Sequence, residues 1–526
     1  MNILMYSPEI PKDSYWSLHH ALKITGKRSL LPPLALMTVA AMLPEHNIDL
    51  VDENIEPLRQ DHLDWADIMF ISAAEMQAGS LEATLQRTDI PTVVGGPYAA
   101  QYYDRIHADH LIIGEAESGI LRQFMRDFER GQAKRAYANI TLRRHPEGRK
   151  IDEENAEEIA RFFDNDIFME GPGRGPTMDG SPIPRFDLVR TSQYGSMPMQ
   201  FSRACPHNCE FCSEGALYGD TPRLKDPEQI IAEFEAVRTT DYRGSIFFVD
   251  DNLYVSRKAG KSLIEHVAAY QQRHNYPFSF MTQGDIHLAQ DPELMELMRM
   301  AGFDALFVGI ESPSAAALER AGKRVNLGSN LIDAVHEIQR YGIEVSAGFI
   351  MGMDDEPDDI GDAIFDFIQE AGIPTAMAGL LIPAKGSLLH ARYKRERRLL
   401  ERNAPTSNTH NFQLYHTPDR GRDPKDIIGS NRRLLDRLYD ASGENYFERG
   451  MRHLEHLGPR VAPPQLRHHD IATIARSLAV QNRQSYSPAY RRFLAEAIRH
   501  HPRKMRDAVR TAVLGHHYIT ITQALA

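Results

Sequence analysis

Residues 203–214 read RACPHNCEFCSE, and Cys205, Cys209 and Cys212 are the only cysteines among 526 residues. Three thiols at C-x3-C-x2-C spacing on one short loop can share a metal centre. A structural zinc site asks for four Cys or His ligands. His207 lies inside the cluster, but its place between the first two cysteines strains simultaneous ligation, and the chain has no second Cys pair. A complete iron–sulfur cluster also takes four cysteines. Three thiolates on four irons leave one iron open to a ligand that is not protein. The competing readings are reduced surface thiols or a degenerate zinc knuckle. An odd, clustered count argues against the disulfide scaffold of a secreted protein.

Such a loop needs a scaffold. Between about 195 and 385 six apolar runs, MPMQFSR, SIFFVDDN, FSFMTQGD, ALFVGIES, VSAGFIMG and AMAGLLIP, alternate with helical stretches such as Pro227–Arg238 and Pro292–Met300. Repeated β–α units predict a (β/α)6 partial barrel over residues 194–386, with its chemistry at the carboxyl ends of the strands. Those ends carry Asp250-Asp251-Asn252, Thr282-Gln283-Gly284-Asp285, Gly309-Ile310-Glu311-Ser312 and Gly348-Phe349-Ile350-Met351-Gly352.

The cysteine spacing, with Phe211 just before Cys212, resembles the radical S-adenosylmethionine (SAM) enzymes. The resemblance implies a [4Fe-4S] cluster on Cys205, Cys209 and Cys212, whose open iron chelates SAM. Reduction then cleaves a carbon–sulfur bond and releases a 5′-deoxyadenosyl radical, chemistry that belongs to the cofactors while the protein positions and shields them. It further implies SAM contacts from Asp250, Asp251, Gln283, Glu311 and Ser312, and from Gly348, Ile350 and Gly352 in an element resembling G-x-I-x-G-x-x-E. Capping of the next helix is the alternative for Asp250, Asp251 and Ser312, and close backbone packing for the glycines. Asp355 stands where the family has Glu, with Glu356 beside it; Lys385 stands where proline is common. Arg203 and Arg223 are further candidates for SAM or cluster contacts.

Residues 1–130 alternate short apolar runs (NILMYS, IDLVDEN, DIMFISA, PTVVGGP, DHLIIGEAES) with helix-length stretches, which predicts a doubly wound parallel sheet. Ligands of such sheets bind at the carboxyl ends of the strands. Ahead of a radical SAM barrel this domain resembles a cobalamin-binding domain, and the resemblance implies cobalamin contacts from Ser72, Gly95, Gly96, Gly114 and Glu115. The D-x-H-x-x-G motif that supplies an axial histidine is absent; the alternative is a fold kept without its ligand. Residues 131–193, rich in Pro, Gly and charge, read as a linker or wrap. Residues 387–526 read as a mainly helical domain built from ARYKRERRLLERN, SNRRLLDRLYD, YFERGMRHLEHL, RHHDIATIARSLAVQ, SYSPAYRRFLAEAIRHH and PRKMRDAVRTAVLGHHY. The whole resembles class B methyltransferases of the hopanoid C2-methylase and bacteriochlorophyll methylase type.

A net charge of -12 disfavours a nucleic-acid partner. The apolar run Leu30–Leu43 is broken by Pro32 and Pro33 and is too short to cross a bilayer, and MNILMYSPEI reads as a strand rather than a signal peptide; the expectation is a cytoplasmic protein without a transmembrane segment. The leading functional reading is a cobalamin-dependent radical SAM C-methyltransferase acting on a small molecule or lipid, with flavodoxin or ferredoxin as electron donor. A second reading is a radical SAM enzyme that does not use cobalamin and performs cyclisation, rearrangement or 3-amino-3-carboxypropyl transfer. A third is a non-catalytic metal or cobalamin sensor.

Overall fold

The computed structural model describes residues 1–400, 412–461 and 468–525. Its first unit is a parallel sheet. Strands β1 (Asn2–Ser7), β2 (Asn47–Asp52), β3 (Ile68–Ser72), β4 (Thr92–Gly95) and β5 (His110–Ile113) coincide with the five apolar runs. Two more strands, β6 (Ala136–Thr141) and β7 (Ile167–Gly173), extend the sheet to seven in the order β2-β1-β3-β4-β5-β6-β7. The winding reverses between β1 and β3, which is where an open α/β sheet forms its crevice.

The reading of 131–193 as a linker is therefore corrected over 136–173. The HPEG stretch looks like a turn, but Pro146 is the first residue of a helix, Pro146–Phe162, where a missing N–H costs nothing. Glu153, Glu154 and Glu157 form the solvent face, while Ile151, Ala156 and Ile159 are buried and Asp152 is buried in an ion pair with Arg143. Only the stretch after β7 runs to the barrel with no more than two single 3₁₀ turns.

The second unit is a six-stranded, wholly parallel sheet: β8 (Ser196–Met199), β11 (Ser245–Phe248), β12 (Ser279–Gly284), β13 (Phe303–Glu311), β14 (Glu344–Met351) and β15 (Ala376–Leu380), in the order β15-β14-β13-β12-β11-β8. A short antiparallel pair, β9 (Ser202–Arg203) with β10 (Arg223–Leu224), brackets the cysteine loop. Local sequence sets the helices between strands. In Pro292–Ala301, Asp291 caps the amino end by accepting from the Leu294 N–H at 3.2 Å, and Gly302 in the left-handed region ends the helix. A cap of this kind stabilises by about 1 kcal/mol. Leu294, Met295, Met298 and Ala301 turn one buried face to the strands.

Along β13 the strand period separates two faces. Leu306, Val308 and Ile310 are fully buried against the surrounding helices, whereas Phe307 and Gly309 are partly accessible and face the barrel interior. By the same alternation Phe247 on β11, Met281 on β12, and Gly348 and Ile350 on β14 face inward.

The C-terminal unit is helical: Leu388–Arg395, Pro424–Leu438, Glu444–His456, His468–Gln481, Ser487–His500 and Met505–Leu525. The ends of two sequence-predicted helices, Glu401–Asn403 of ARYKRERRLLERN and Arg467 of RHHDIATIARSLAVQ, lie outside the described residues. One buried core joins a face of the first sheet, the helical layer of the barrel and these helices. Fully buried Arg449 locks the last two together. Its Nη1 donates to the Leu438 carbonyl at 2.7 Å and to Gln369 Oε1 at 3.3 Å, and its guanidinium lies over the rings of Tyr439 and Tyr446.

Candidate active site

The cysteine loop leaves β9 through Ala204, which adopts φ 73°. Three bonds fix its path. The Cys212 N–H donates to the Cys209 carbonyl at 3.1 Å, the Glu210 N–H to the Ala321 carbonyl at 2.9 Å, and the Leu389 N–H to the Glu210 carbonyl at 2.8 Å. Arg392 Nη2 adds a bond to Glu210 Oε2 at 2.9 Å. Phe211 packs with Ile350 against a small apolar cluster that includes Met353, Leu381 and Tyr393. The aromatic residue before the last cysteine thus anchors the loop.

Cys209 is buried, and Cys205 and Cys212 are partly so. Burial pushes the Cys205 thiol up to about 12 and raises Cys209 and Cys212 as well. Thiolates are the ligand form, so a site of this kind needs compensating positive charge. Among the described residues no three Cys, His, Asp or Glu side chains converge on one point as single-ion ligands. A tetrahedral ion at about 2.3 Å from each sulfur requires such convergence, whereas a cluster spreads its thiolates over separate irons. Three thiols without a fourth protein ligand fit a cluster with one open iron. His207 does not complete the set; its Nε2 lies 3.6 Å from Asp285.

Lys323 supplies the positive charge, and the sequence reading missed it. Its Nζ is 3.3 Å from Glu311 Oε1. Burial opposes its ammonium, but Glu311, then Cys209 and Cys212, outweigh that and shift its pKa upward. Glu311 itself adopts φ 65°, at a register shift between β13 and β14. Burial raises its carboxyl and Lys323 draws it back. Gly309 makes the pair possible: a Cβ there would meet Glu311 Oε1 at 2.2 Å and Lys323 Nζ at 3.0 Å. The signal was present in the run GIESPSAAALERAGKRVN, but a lysine twelve residues past a strand has no sequence pattern that sends it back to the strand end.

Other expected SAM contacts take different work. Asp250 is fully buried and accepts from the Phe201 N–H at 3.1 Å, from Ser202 Oγ at 2.5 Å and from the Ser202 N–H. It fixes the chain entering the cysteine loop, and burial lifts its carboxyl to about 7. Asp251 hydrogen-bonds Glu214, two positions after Cys212; burial first, then Glu214, raises its pKa. Ser312 is fully buried, its Oγ accepting from the Ser314 N–H at 3.2 Å. Gln283, the last residue of β12 but one, lies on the interior face. In the fifth-strand element the acid that closes the loop is Glu356, not Asp355. Glu356 Oε2 accepts from the Gly352 N–H at 2.8 Å, while the Asp355 N–H donates to Asp419. Gly352 has φ 93°, and a Cβ on Gly348 would stand 3.3 Å from the Phe307 ring.

At the carboxyl edge of the first sheet, Glu115 has a structural role beside the expected ligand contact. It is buried and bonds Arg203 Nη1 and Arg223 Nη1, each at 2.8 Å, while Glu117 bonds Arg203 Nη2 at 2.7 Å. Both arginines are thereby committed to a clamp between the first sheet and the cysteine hairpin. Lys385 joins the two units elsewhere, 3.3 Å from Glu158 and over the ring of Tyr103. Gly96 and Gly114 are small for packing reasons: a Cβ would lie 2.8 Å from Ser72 Oγ and 2.3 Å from the Asn139 carbonyl oxygen, respectively. Gly95 meets only ordinary contacts, with Ile112 at 3.6 Å. At β5 and β6 two buried polar atoms have no hydrogen-bond partner, Ser118 Oγ and Asn139 Oδ1. Unpaired buried polar atoms are costly, and both can accept from a ligand rich in amide N–H donors, as a corrinoid is.

A model of the radical SAM superfamily matches residues 199–368, and a domain of unknown function, DUF4070, matches 388–526. An uncharacterized methyltransferase of Synechocystis sp. is 34% identical over 87% of this chain and 79% of its own length. The hopanoid C-2 methylase of Rhodopseudomonas palustris is 32% identical over 79% of this chain and 74% of its own. Among solved structures, the radical SAM methyltransferase TsrM from Kitasatospora setae, with cobalamin and a [4Fe-4S] cluster bound, superposes with TM-score 0.60 at 13% identity, covering 94% of this chain and 99% of that one. The cobalamin-dependent SAM radical enzyme OxsB, with aqua-cobalamin bound, gives TM-score 0.58 at 14% identity, covering 100% and 80%. These two likenesses speak to the fold.

Proposed function

This chain belongs to the radical SAM superfamily, beside relatives named as methyltransferases, and from that premise we propose that it is a cobalamin-dependent C-methyltransferase acting on a small molecule or lipid. The observation that carries the reading is the Glu115–Arg203 pair. Arg203 lies two residues before Cys205, and Glu115 stands just past the carboxyl end of β5, so the pair sets the cysteine hairpin against the carboxyl edge of the first sheet. When bound, a [4Fe-4S] cluster with SAM supplies one-electron cleavage chemistry, and a corrinoid supplies a carrier for methyl groups.

The protein's own part is binding, orientation and exclusion of water. Cys205, Cys209 and Cys212 hold the cluster as thiolates. Lys323 offers an ammonium that neutralises the carboxylate end of SAM and the negative cluster loop, and Glu311 accepts from its ammonium or ribose. Gln283 closes the third strand beside them. Gly348 and Ile350 leave a flat apolar wall for the adenine, and Gly352 lets the loop turn there. Ser72, Ser118 and Asn139 receive the corrinoid's amides. Asp250 and Asp251 act through the backbone of the cysteine loop and position it. The electron comes from an external donor, for which flavodoxin or ferredoxin is the proposed class. Among the described residues no helix is long and apolar enough to span a membrane.

The test is anaerobic incubation of cluster-reconstituted protein with SAM and reductant, with and without cobalamin. The reading expects S-adenosylhomocysteine only when cobalamin is present, beside 5′-deoxyadenosine. Equal product sets with and without cobalamin would leave a radical SAM enzyme of the second, cobalamin-free kind.

A further inference from the structure

One large aromatic residue stands apart from the cores. Trp16 is 41% exposed, yet everything around it is fixed. Its backbone N–H donates to Ser14 Oγ at 3.2 Å, in a single 3₁₀ turn Tyr15–Ser17. The preceding residue, Tyr15, is buried in the C-terminal unit. Its ring stacks on Tyr518 with centroids 5.6 Å apart, its hydroxyl bonds Thr522 Oγ1, and its carbonyl accepts from His517 Nε2 at 3.1 Å. Three residues of the last helix therefore hold the backbone from which Trp16 projects.

Trp16 projects onto Phe307. The ring centroids are 6.0 Å apart and tilted by 49°, a favourable aromatic arrangement. Phe307 belongs to the inward face of β13, four residues before Glu311, a span of roughly 13 Å at 3.3 Å per residue. Gly348, opposite, carries no side chain to cover the Phe307 ring. Met281 on β12 also faces the interior and is partly accessible. A half-exposed indole on a rigid pedestal, set against an accessible phenylalanine, is a preformed apolar wall on the inner face of the barrel.

We propose that Trp16 and Phe307 form the wall that receives the apolar carbon skeleton of the substrate, and that the C-terminal helix Met505–Leu525 sets this wall through Tyr15. The match to a domain of unknown function then has a physical role: it fixes a specificity-determining side chain carried by the N-terminal segment. The proposal deepens the functional reading by naming the substrate's contact chemistry, but its test needs no turnover, so the two fail separately.

The chain has only two tryptophans, Trp16 and Trp65. In Trp65→Phe protein, Trp16 reports alone. Titration with 12-bromododecan-1-ol below its aggregation limit is expected to quench Trp16 saturably, since bromine quenches on contact, whereas Trp16→Phe protein, reporting only Trp65, shows no saturable quenching. Phe307→Ala is expected to weaken the probe at least tenfold. Tyr15→Phe, which keeps the ring and loses the Thr522 bond, is expected to weaken it severalfold with the circular dichroism spectrum unchanged. Linear, non-saturating quenching, or equal quenching of both tryptophans, would overturn the wall. An unchanged affinity in Tyr15→Phe would overturn the role of the last helix.

Discussion

Lys323 Nζ lies 3.3 Å from Glu311 Oε1, in a gap that exists because position 309 has no side chain. The pair brings a cation from the segment after β13 back to the strand end and beside Cys209. Its charge favours the thiolates of Cys205 and Cys209, and Cys209 and Cys212 in turn raise its own pKa.

Lys323→Met should therefore weaken both holdings, and SAM the more. The variant is expected to lose part of its iron and sulfide and, per cluster retained, to bind SAM at least tenfold more weakly, about 1.4 kcal/mol. Lys323→Arg should recover part of the loss. Equilibrium dialysis of SAM on reconstituted protein measures it, and unchanged affinity would remove Lys323 from the SAM site.

Gly309→Ala tests the same gap from the strand side. The added methyl collides with Glu311 Oε1, so overpacking of about 1–3 kcal/mol is expected. SAM cleavage should fall while iron content stays. Quantifying 5′-deoxyadenosine per iron in the variant and the parent decides it; equal yields would mean that the pair is not needed where the structure places it.

Glu115 tests the clamp between the two units. Glu115→Ala leaves Arg203 and Arg223 short of a carboxylate in a site where the side chains are 3%, 12% and 9% exposed, respectively. Breaking a buried pair by removing one partner costs about 3–5 kcal/mol. Glu117 still serves Arg203, so the lower end is expected. Urea unfolding of the apo-protein measures the loss, and limited proteolysis after residue 173 should accelerate. Stability unchanged within error would show that the clamp contributes nothing.

Glu356 makes a pH prediction. Burial raises its carboxyl to about 7, against opposing bonds from the Gly352 N–H and Arg422. The unfolded carboxyl titrates near about 4.3. Between these values the folded state holds one proton more than the unfolded state, so this residue's contribution to stability falls as pH rises from about 4.3 to 7. Glu356→Gln cannot ionise and should flatten that part of the slope. Urea midpoints at pH 5 and pH 8 in both proteins check it; identical slopes would contradict the assignment.

Much of this architecture is legible in the residues, for identifiable reasons. The six barrel strands are apolar runs buried on at least one face and bounded by polar or Gly-rich ends, so their extent is written locally. The three cysteines are legible because their spacing and total are unusual. Residues 136–173 were not, because Pro146 and Gly148 look like turn punctuation when they in fact open a helix, and because β7 contains Pro172 and ends at Gly173. The roles of Asp250 and Glu115 were also hidden. A carboxylate at a strand end looks the same whether it faces a ligand or the backbone of a neighbouring loop, and Glu115 meets Arg203 across 88 residues of chain. Trp16 gave no signal because its neighbour's anchor lies more than 500 residues away, in the last helix.

The central claim is that Cys205, Cys209 and Cys212 hold a cluster that cleaves SAM. It is tested most directly by anaerobic reconstitution of the parent protein and of Cys205→Ala, Cys209→Ala and Cys212→Ala, followed by SAM and reductant. The account predicts about four irons per chain in the parent with formation of 5′-deoxyadenosine, and loss of that product in each variant together with most of the iron. Full iron content in any one variant, or a fully loaded parent that leaves SAM intact, would contradict it.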